Sequence, residues 1–243
     1  HIKNRNDELG VLSKSLDEMT KELNNRIKAT ENFSTDLVHE IRNPLASLKS
    51  ASEIISDTTD KEKQDKLLKI MTHDVSRIDR LITDYSQILK DELAISSEEM
   101  EDLDLKPIVE SVVDDFNNIY IEKKNVNIKL NTSGMNNYII KGISNRIEQI
   151  IANLLDNSVS FSKNGSIVTV DLDDNKNDII LKVSDQGEGF KESDIKKVFD
   201  RFYSNRPENF GEHSGLGLNI VKNLVQIHKG EIHASNSPKG GAM

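Results

Sequence analysis

The chain has no cysteine, no tryptophan, only four prolines in 243 residues, and aromatic side chains at 5% of positions. The lack of cysteine excludes disulfides and thiolate metal sites. No apolar run approaches the roughly 20 residues needed to cross a bilayer, and the first residues do not read as a signal peptide. Nor is there an excess of positive charge. The formal net charge of −9 leaves no basic footprint, so nucleic acid is not an expected partner. Hydrophobic content is 35% and charged content 30%, polar for a single compact globule, and long water-facing helices account for it. The length fits one or two ordinary domains.

What is present falls into two grammars. In the first, Leu9, Leu12, Leu16, Met19 and Leu23 recur at alternating spacings of three and four, the seam of a coiled coil over about two heptads. Ile27 breaks the register and the stripe resumes at Phe33 in a new phase, which reads as a stutter. A polar turn, S-D-T-T-D-K with capping residues Thr59 and Asp60, separates this helix from a second, striped by Leu67, Met71, Val75, Ile78, Ile82, Tyr85 and Leu89. Two helices joined by a short turn make an antiparallel hairpin, and one partner helix cannot bury either stripe. A homodimeric four-helix bundle is the expected solution.

After the acidic linker Ser96–Asp102 the grammar changes. Strand-like segments at Val126–Leu130, Ser166–Leu172 and Ile179–Ser184 alternate with helical ones near Ile108–Glu122, Asn145–Ser160, Asp194–Tyr203 and Leu216–His228, and the cluster Asp171–Asp178 reads as a hairpin turn. The fold class is therefore α+β: a helical hairpin followed by a mixed sheet with helices on one face.

Within the first helix stands D-L-V-H-E-I-R-N-P-L-A, Asp36 to Ala46. At about 100° per residue, Phe33, Leu37, Ile41, Leu45 and Leu48 share one stripe and His39 projects to the far side, toward water. Glu40 beside it can accept a ring proton and raise the nucleophilicity of the other nitrogen. Asn43 lies one turn on, over the same face. Pro44 removes the hydrogen bond to the Glu40 carbonyl, at about 3 kcal/mol inside a helix, so a functional kink is expected there.

In the second half, Asn153 and Asn157 sit four residues apart on one face of an Ile/Leu-rich helix, where buried amides need partners, and this points to a ligand. D-Q-G-E-G, Asp185 to Gly189, follows a strand directly; Gly187 and Gly189 let backbone approach a planar ligand while the carboxylate accepts from an exocyclic amine. V-F-D-R-F-Y carries Arg201, whose guanidinium can fork onto phosphate, between Phe199 and Phe202, which read as core. Residues 204–213 have no apolar periodicity and read as a lid. S-G-L-G-L then opens a helix, exposing amides of Gly215, Leu216, Gly217 and Leu218 to an anion at its positive end.

The stretch Phe33–Leu45 resembles the phosphoacceptor box of sensor histidine kinases, and the later motifs resemble, in the family's order, its N box, first glycine box, F box and second glycine box. The resemblance implies that His39 takes the γ-phosphoryl of ATP, with Glu40 as general base and Asn43 positioning water for dephosphorylating a partner. It implies that Asn153 and Asn157 hold Mg²⁺, that Asp185 recognises the adenine amino group, and that Arg201 and Gly215–Leu218 meet the phosphates. The expected partners are a second copy of the chain and the receiver domain of a response regulator. Asp7–Met19 resembles the second helix of a HAMP linker, so the expected organisation is residues 1–22 linker end, 23–95 dimerisation and phosphotransfer hairpin, 101–243 ATP-binding domain. A membrane span is expected upstream, making this the cytoplasmic portion of an inner-membrane protein.

The sequence departs from the family's pattern at Ser160, often Lys, and His213, often Gly, and it stops at Met243 before a final strand, which reads as truncation with an open sheet edge. Two other classes remain: a dimeric signalling scaffold that binds a regulator without phosphorylating itself, and a gyrase-type ATPase doing conformational work. Against the second, Asn153 stands where a water-activating glutamate belongs.

Overall fold

The structure is a computed structural model that describes residues 8–94, 98–133, 137–175, 178–191, 193, 195–203, 215–238 and 240–243. It divides into two compact units after Leu81, within the second helix. The N-terminal periodicity becomes α1 (Glu8–Asp57) and α2 (Lys61–Ala94). Asp60 starts α2: its Oδ1 accepts from the Glu62 N–H and its carbonyl from the Gln64 N–H, both at 3.0 Å, satisfying donors that a helix start leaves open. Thr58 contributes its carbonyl to the Gln64 side chain.

In the first unit Phe33, Pro44, Ala51, Asp74 and Leu81 are buried between the helices. Helix α1 runs through Pro44 without a break in its assignment. Leu9, Leu12, Leu16, Met19 and Leu23 all remain exposed, and Leu45 and Val75, placed on the apolar stripes, are 52% and 56% exposed. One hairpin does not cover its own apolar faces.

Alternation decides the sheet of the second unit. Along β4 (Ile167–Asn175) Val168, Val170 and Leu172 are buried and their neighbours are not, the period-2 pattern of a strand with one face on a core. Strand β2 (Asn127–Ser133) pairs parallel to β4, and β5 (Asp178–Ser184) pairs antiparallel to its other side. The parallel pair requires a crossover, which includes β3 (Ile139–Gly142) and α4 (Ser144–Phe161). Helices α3 (Leu105–Lys124) and α5 (Gly217–Ile227) flank α4. The core lies between Val168, Val170 and Leu172 of the sheet and Ile147, Ile151, Leu155 and Val159 of α4.

Polar clips orient these elements. Asn117 exchanges two hydrogen bonds with the Ile128 backbone, 2.8 and 2.9 Å, occupying part of the β2 edge. The Lys124 ammonium donates to the carbonyls of Val159 and Ser160 at 3.1 Å, a cation on the negative end of α4, whose own last turn has no basic residue. His228 Nε2 accepts from the Ile143 N–H at 3.1 Å while Nδ1 lies 2.7 Å from the Leu224 carbonyl, which requires the neutral imidazole with its proton on Nδ1.

Three expectations change. The linker is shorter than Ser96–Asp102, because Glu101–Asp104 forms β1, antiparallel to β3. Of the segment Asp194–Tyr203, the described residues 195–203 form no α-helix: a short 3-10 turn, Ile195–Lys197, gives way to turns, and Phe202 takes a left-handed φ of 58° that ends helical geometry. Phe199 and Phe202 are only half-buried, and Val198 supplies the buried contact instead.

Candidate functional site

The site of the second unit begins on α4. Asn153 and Asn157 fall one turn apart and are both half-buried. A Cβ added to Gly217, the first residue of α5, would lie 3.8 Å from Asn153 Oδ1. The two motifs therefore meet, the amide pair beside the positive end of α5, where Leu216 is fully buried and anchors the turn. Gly215, at φ +74°, packs on the Phe202 backbone, with its hypothetical Cβ 2.8 Å from Phe202 C, so Arg201 and the glycine turn come from adjoining backbone. Arg201 is half-buried. The lid, residues 204–213, lies outside the described residues.

The other wall starts where β5 ends. Asp185 is 6% exposed. Its Oδ1 accepts from the Gly187 N–H at 2.8 Å and the Ala242 N–H at 3.0 Å, which commits that oxygen to the fold and leaves Oδ2 for a ligand donor. Burial pushes the carboxyl above the usual aspartate range, and the backbone donors of Ala242 and Gly187 pull it partway back. Gly187 passes against α4, where a Cβ would sit 2.8 Å from the Phe161 carbonyl. Gly189, at φ +76°, is held by Asn236, whose side chain accepts from the Phe190 N–H at 2.7 Å and donates to its carbonyl at 2.8 Å.

Sequence reasoning assigned no role to Asn236, Gly241 and Ala242. The string N-S-P-K-G-G signals a tight turn, but nothing local says that the turn docks on Asp185. It does: the Asp185 N–H donates to the Ala242 carbonyl at 3.0 Å, while Ser235 and Met243 exchange two backbone bonds at 2.9 Å. Gly241, at φ +88°, has no room for a Cβ against the Asp185 carbonyl, whereas Gly240, at φ +90°, has open space. Gly241→Ala is therefore expected to lower the melting point of this unit more than Gly240→Ala. Both carry the left-handed strain of roughly 1–3 kcal/mol, but only the first displaces the Asp185 turn. Equal melting points for the two variants would refute the docking.

Magnesium would find hard oxygens in the amides of Asn153 and Asn157, with water and phosphate completing its shell, a donor set that suits it. Among the described residues there is no cluster of three or more acidic, histidine or cysteine side chains that could hold a metal by itself.

The first unit carries the other motif. His39 is exposed on α1, as its phase on the helix predicts. Asn43 is exposed too, and Glu40, half-buried, accepts from Arg77 Nη2 of α2 at 2.9 Å.

Comparison with known proteins agrees with both units. Residues 29–94 match the His Kinase A (phospho-acceptor) domain, and residues 142–243 match the histidine kinase-, DNA gyrase B- and HSP90-like ATPase family. The chain is 38% identical over 239 residues to the sensor protein ChvG of Agrobacterium fabrum, covering 96% of this chain and 40% of the relative. Against the histidine-protein kinase BaeS of Escherichia coli the figures are 29% over 239 residues, 97% and 50%. The chain thus spans about two fifths to one half of these curated relatives. Among solved structures, the histidine kinase ThkA, in complex with the response regulator protein TrrA, superimposes with a TM-score of 0.69 at 22% identity, covering 97% of this chain and 66% of that one. The histidine kinase AdeS of Acinetobacter baumannii gives 0.58 at 24%, covering 84% and 94%. These likenesses establish the fold. With a phospho-acceptor hairpin and an ATP-binding unit in one chain, the protein belongs to the sensor histidine kinases of two-component systems.

Proposed function

We propose that this chain transfers the γ-phosphoryl group of Mg·ATP to His39 and then to an aspartate of a response-regulator receiver domain. The observation that carries the reading is an exposed His39 beside Glu40, in a chain whose other unit is of the ATPase family. In the step itself one ring nitrogen attacks the γ-phosphorus and a P–N bond forms. The bond to the β,γ-bridging oxygen breaks, ADP leaves, and Glu40 takes the proton from the other ring nitrogen. Rate comes mainly from positioning and charge neutralisation. Asp185 Oδ2 accepts from the adenine amine. The Gly215–Leu218 amides and Arg201 hold phosphate oxygens, and Asn153 and Asn157 hold Mg²⁺, which supplies charge neutralisation when bound.

The exposed stripes of α1 and α2 support a homodimer through a four-helix bundle, with residues 1–22 as the end of a HAMP-like linker, 23–95 as the phosphotransfer hairpin and 101–243 as the ATP-binding domain. In this reading the parent protein is anchored in the cell membrane by a segment upstream, and this portion is cytoplasmic. No helix among the described residues is long and apolar enough to cross a membrane.

The test is to map phosphate after incubation with Mg·ATP: the reading requires an acid-labile phosphate on His39, and acid-stable label elsewhere overturns it. Asn43, exposed one turn from His39, is assigned to water positioning during regulator dephosphorylation. Asn43→Ala is expected to leave self-phosphorylation within about threefold while slowing regulator dephosphorylation by tenfold or more, in line with loss of one positioning group. Unchanged dephosphorylation counts against that role.

A further inference from the structure

Across the seam of the hairpin, Arg77 of α2 grips the residue next to the phosphoacceptor. Its Nη2 lies 2.9 Å from Glu40 Oε2, with the two side chains 39% and 27% exposed. The contact spans 37 residues of sequence, so it exists only when α1 and α2 are correctly paired. A surface ion pair contributes little to stability, with a median of about 0–1 kcal/mol, so this one's main effect is on where Glu40 points.

A second feature lies on the same face of α2. Asp74, three residues before Arg77, is 8% exposed, and its Oδ2 is buried with no hydrogen-bond partner. Its other oxygen is 3.8 Å from His73 Nδ1, beyond a hydrogen bond. Residues three apart on a helix are neighbours on its surface. The two side chains form no ion pair with each other, so the carboxylate one turn away acts on the guanidinium through its field alone, while the planar group gives a donor to Glu40.

We propose that Arg77 is a positioning residue for phosphoryl transfer, holding the Glu40 carboxylate for the His39 ring, and that Asp74 keeps Arg77 in place. The inference rests on the reading of Glu40 as proton acceptor. It also makes the reaction depend on the pairing of the two helices, because a rotation or slip that parts Arg77 from Glu40 frees the base to wander.

The experiment measures single-turnover labelling of His39 by the whole chain over a range of Mg·ATP concentrations. Glu40→Gln first checks the underlying reading and is expected to slow the maximal rate by 100-fold or more, in the range for loss of a general base. Arg77→Met is expected to slow it by roughly tenfold with the half-saturating ATP concentration unchanged, as loss of positioning without loss of nucleotide binding requires. Arg77→Lys should recover to within about threefold of the parent, since an ammonium can reach the same oxygen, and Asp74→Asn should cost two- to fivefold, less than Arg77→Met. Combining Arg77→Met with Glu40→Gln should be no slower than Glu40→Gln alone, because the two act as a unit. An unchanged Glu40→Gln rate sinks the general-base reading. A slow Glu40→Gln with a full-rate Arg77→Met, or with additive losses in the double variant, overturns the role of Arg77 alone. Helical melting curves accompany each variant, and Arg77→Gln, which keeps a good helix former but removes the charge, takes the place of Arg77→Met with the same expected loss if Arg77→Met unfolds the hairpin.

Discussion

His39→Gln is expected to take up no labelled phosphate from γ-labelled ATP while binding ATP as tightly as the parent. The substitution is structurally mild: position 39 is exposed on the outer face of α1, and glutamine has a helix propensity close to the best. What it removes is a nitrogen nucleophile, which an amide cannot replace because its lone pair is delocalised. In the proposed reading, nucleotide affinity belongs to Asn153, Asp185 and the Gly215–Leu218 turn, which fold as part of the other unit. The same variant separates the three classes that the sequence admits. A kinase loses its label completely, a scaffold shows none even with His39 present, and an ATPase doing conformational work keeps hydrolysing ATP steadily without the histidine. Residual label at full stoichiometry in the variant would place the acceptor elsewhere and end the present reading.

The second large effect is expected at Asp185, where binding and stability should move in opposite directions. In Asp185→Asn the amide oxygen inherits the two backbone donors, Gly187 and Ala242, that fix Oδ1. The amide nitrogen then occupies the place of Oδ2 and presents a donor to the donating amine of adenine. An acceptor is lost and a buried donor is left facing another, a penalty of roughly 1–3 kcal/mol or more, so ATP affinity should fall by one to two orders of magnitude.

Stability runs the other way. Burial raises the Asp185 pKa in the folded state, so the folded protein binds this proton more tightly than the unfolded chain does. The stabilisation from that proton is complete below the unfolded pKa and is lost as pH climbs through the raised folded value, leaving a buried charge at neutrality. Asparagine carries no such charge. The variant should therefore melt higher than the parent at pH 7 to 8, with the difference shrinking as the pH is lowered toward the aspartate range. Calorimetric titration with ATP and melting curves at several pH values check both halves, and a variant that binds ATP normally removes Asp185 from the adenine site.

Much of this was legible beforehand. The three-four spacing of Leu67 to Ile82, the alternation of Val168, Val170 and Leu172, and the exposure of His39 are local consequences of helix and strand periods, and the structure has them. Strand β1 was not legible, because E-D-L-D holds one apolar residue and no alternation. It is a strand through backbone pairing to β3, whose partner residues lie 35 to 41 positions further along the chain. The helix expected around Asp194–Tyr203 failed for the opposite reason: its apolar spacing is helical, yet docking of Gly215 on Phe202 and the bond from Asn219 to the Phe199 carbonyl favour turns. The adenine side was half legible. Asp185 and its glycines follow a strand in plain view, but Asn236 and Gly241, which brace them, lie more than 45 residues on and carry only a turn signal. Arg77 was hidden likewise, since no period in the sequence announces a contact across the hairpin.

The His228 clip ties the residue in front of α4 to the far end of α5, while Gly217 at the opposite end of α5 sits beside Asn153. The two helices therefore run side by side in opposite directions, with α5 fixed at one end to the start of α4 and lying at its other end beside the middle of α4. In the proposed reading, the amides that would meet a phosphate are thus braced from both ends of a short helix, and the anion site inherits its shape from the packed layer beneath it.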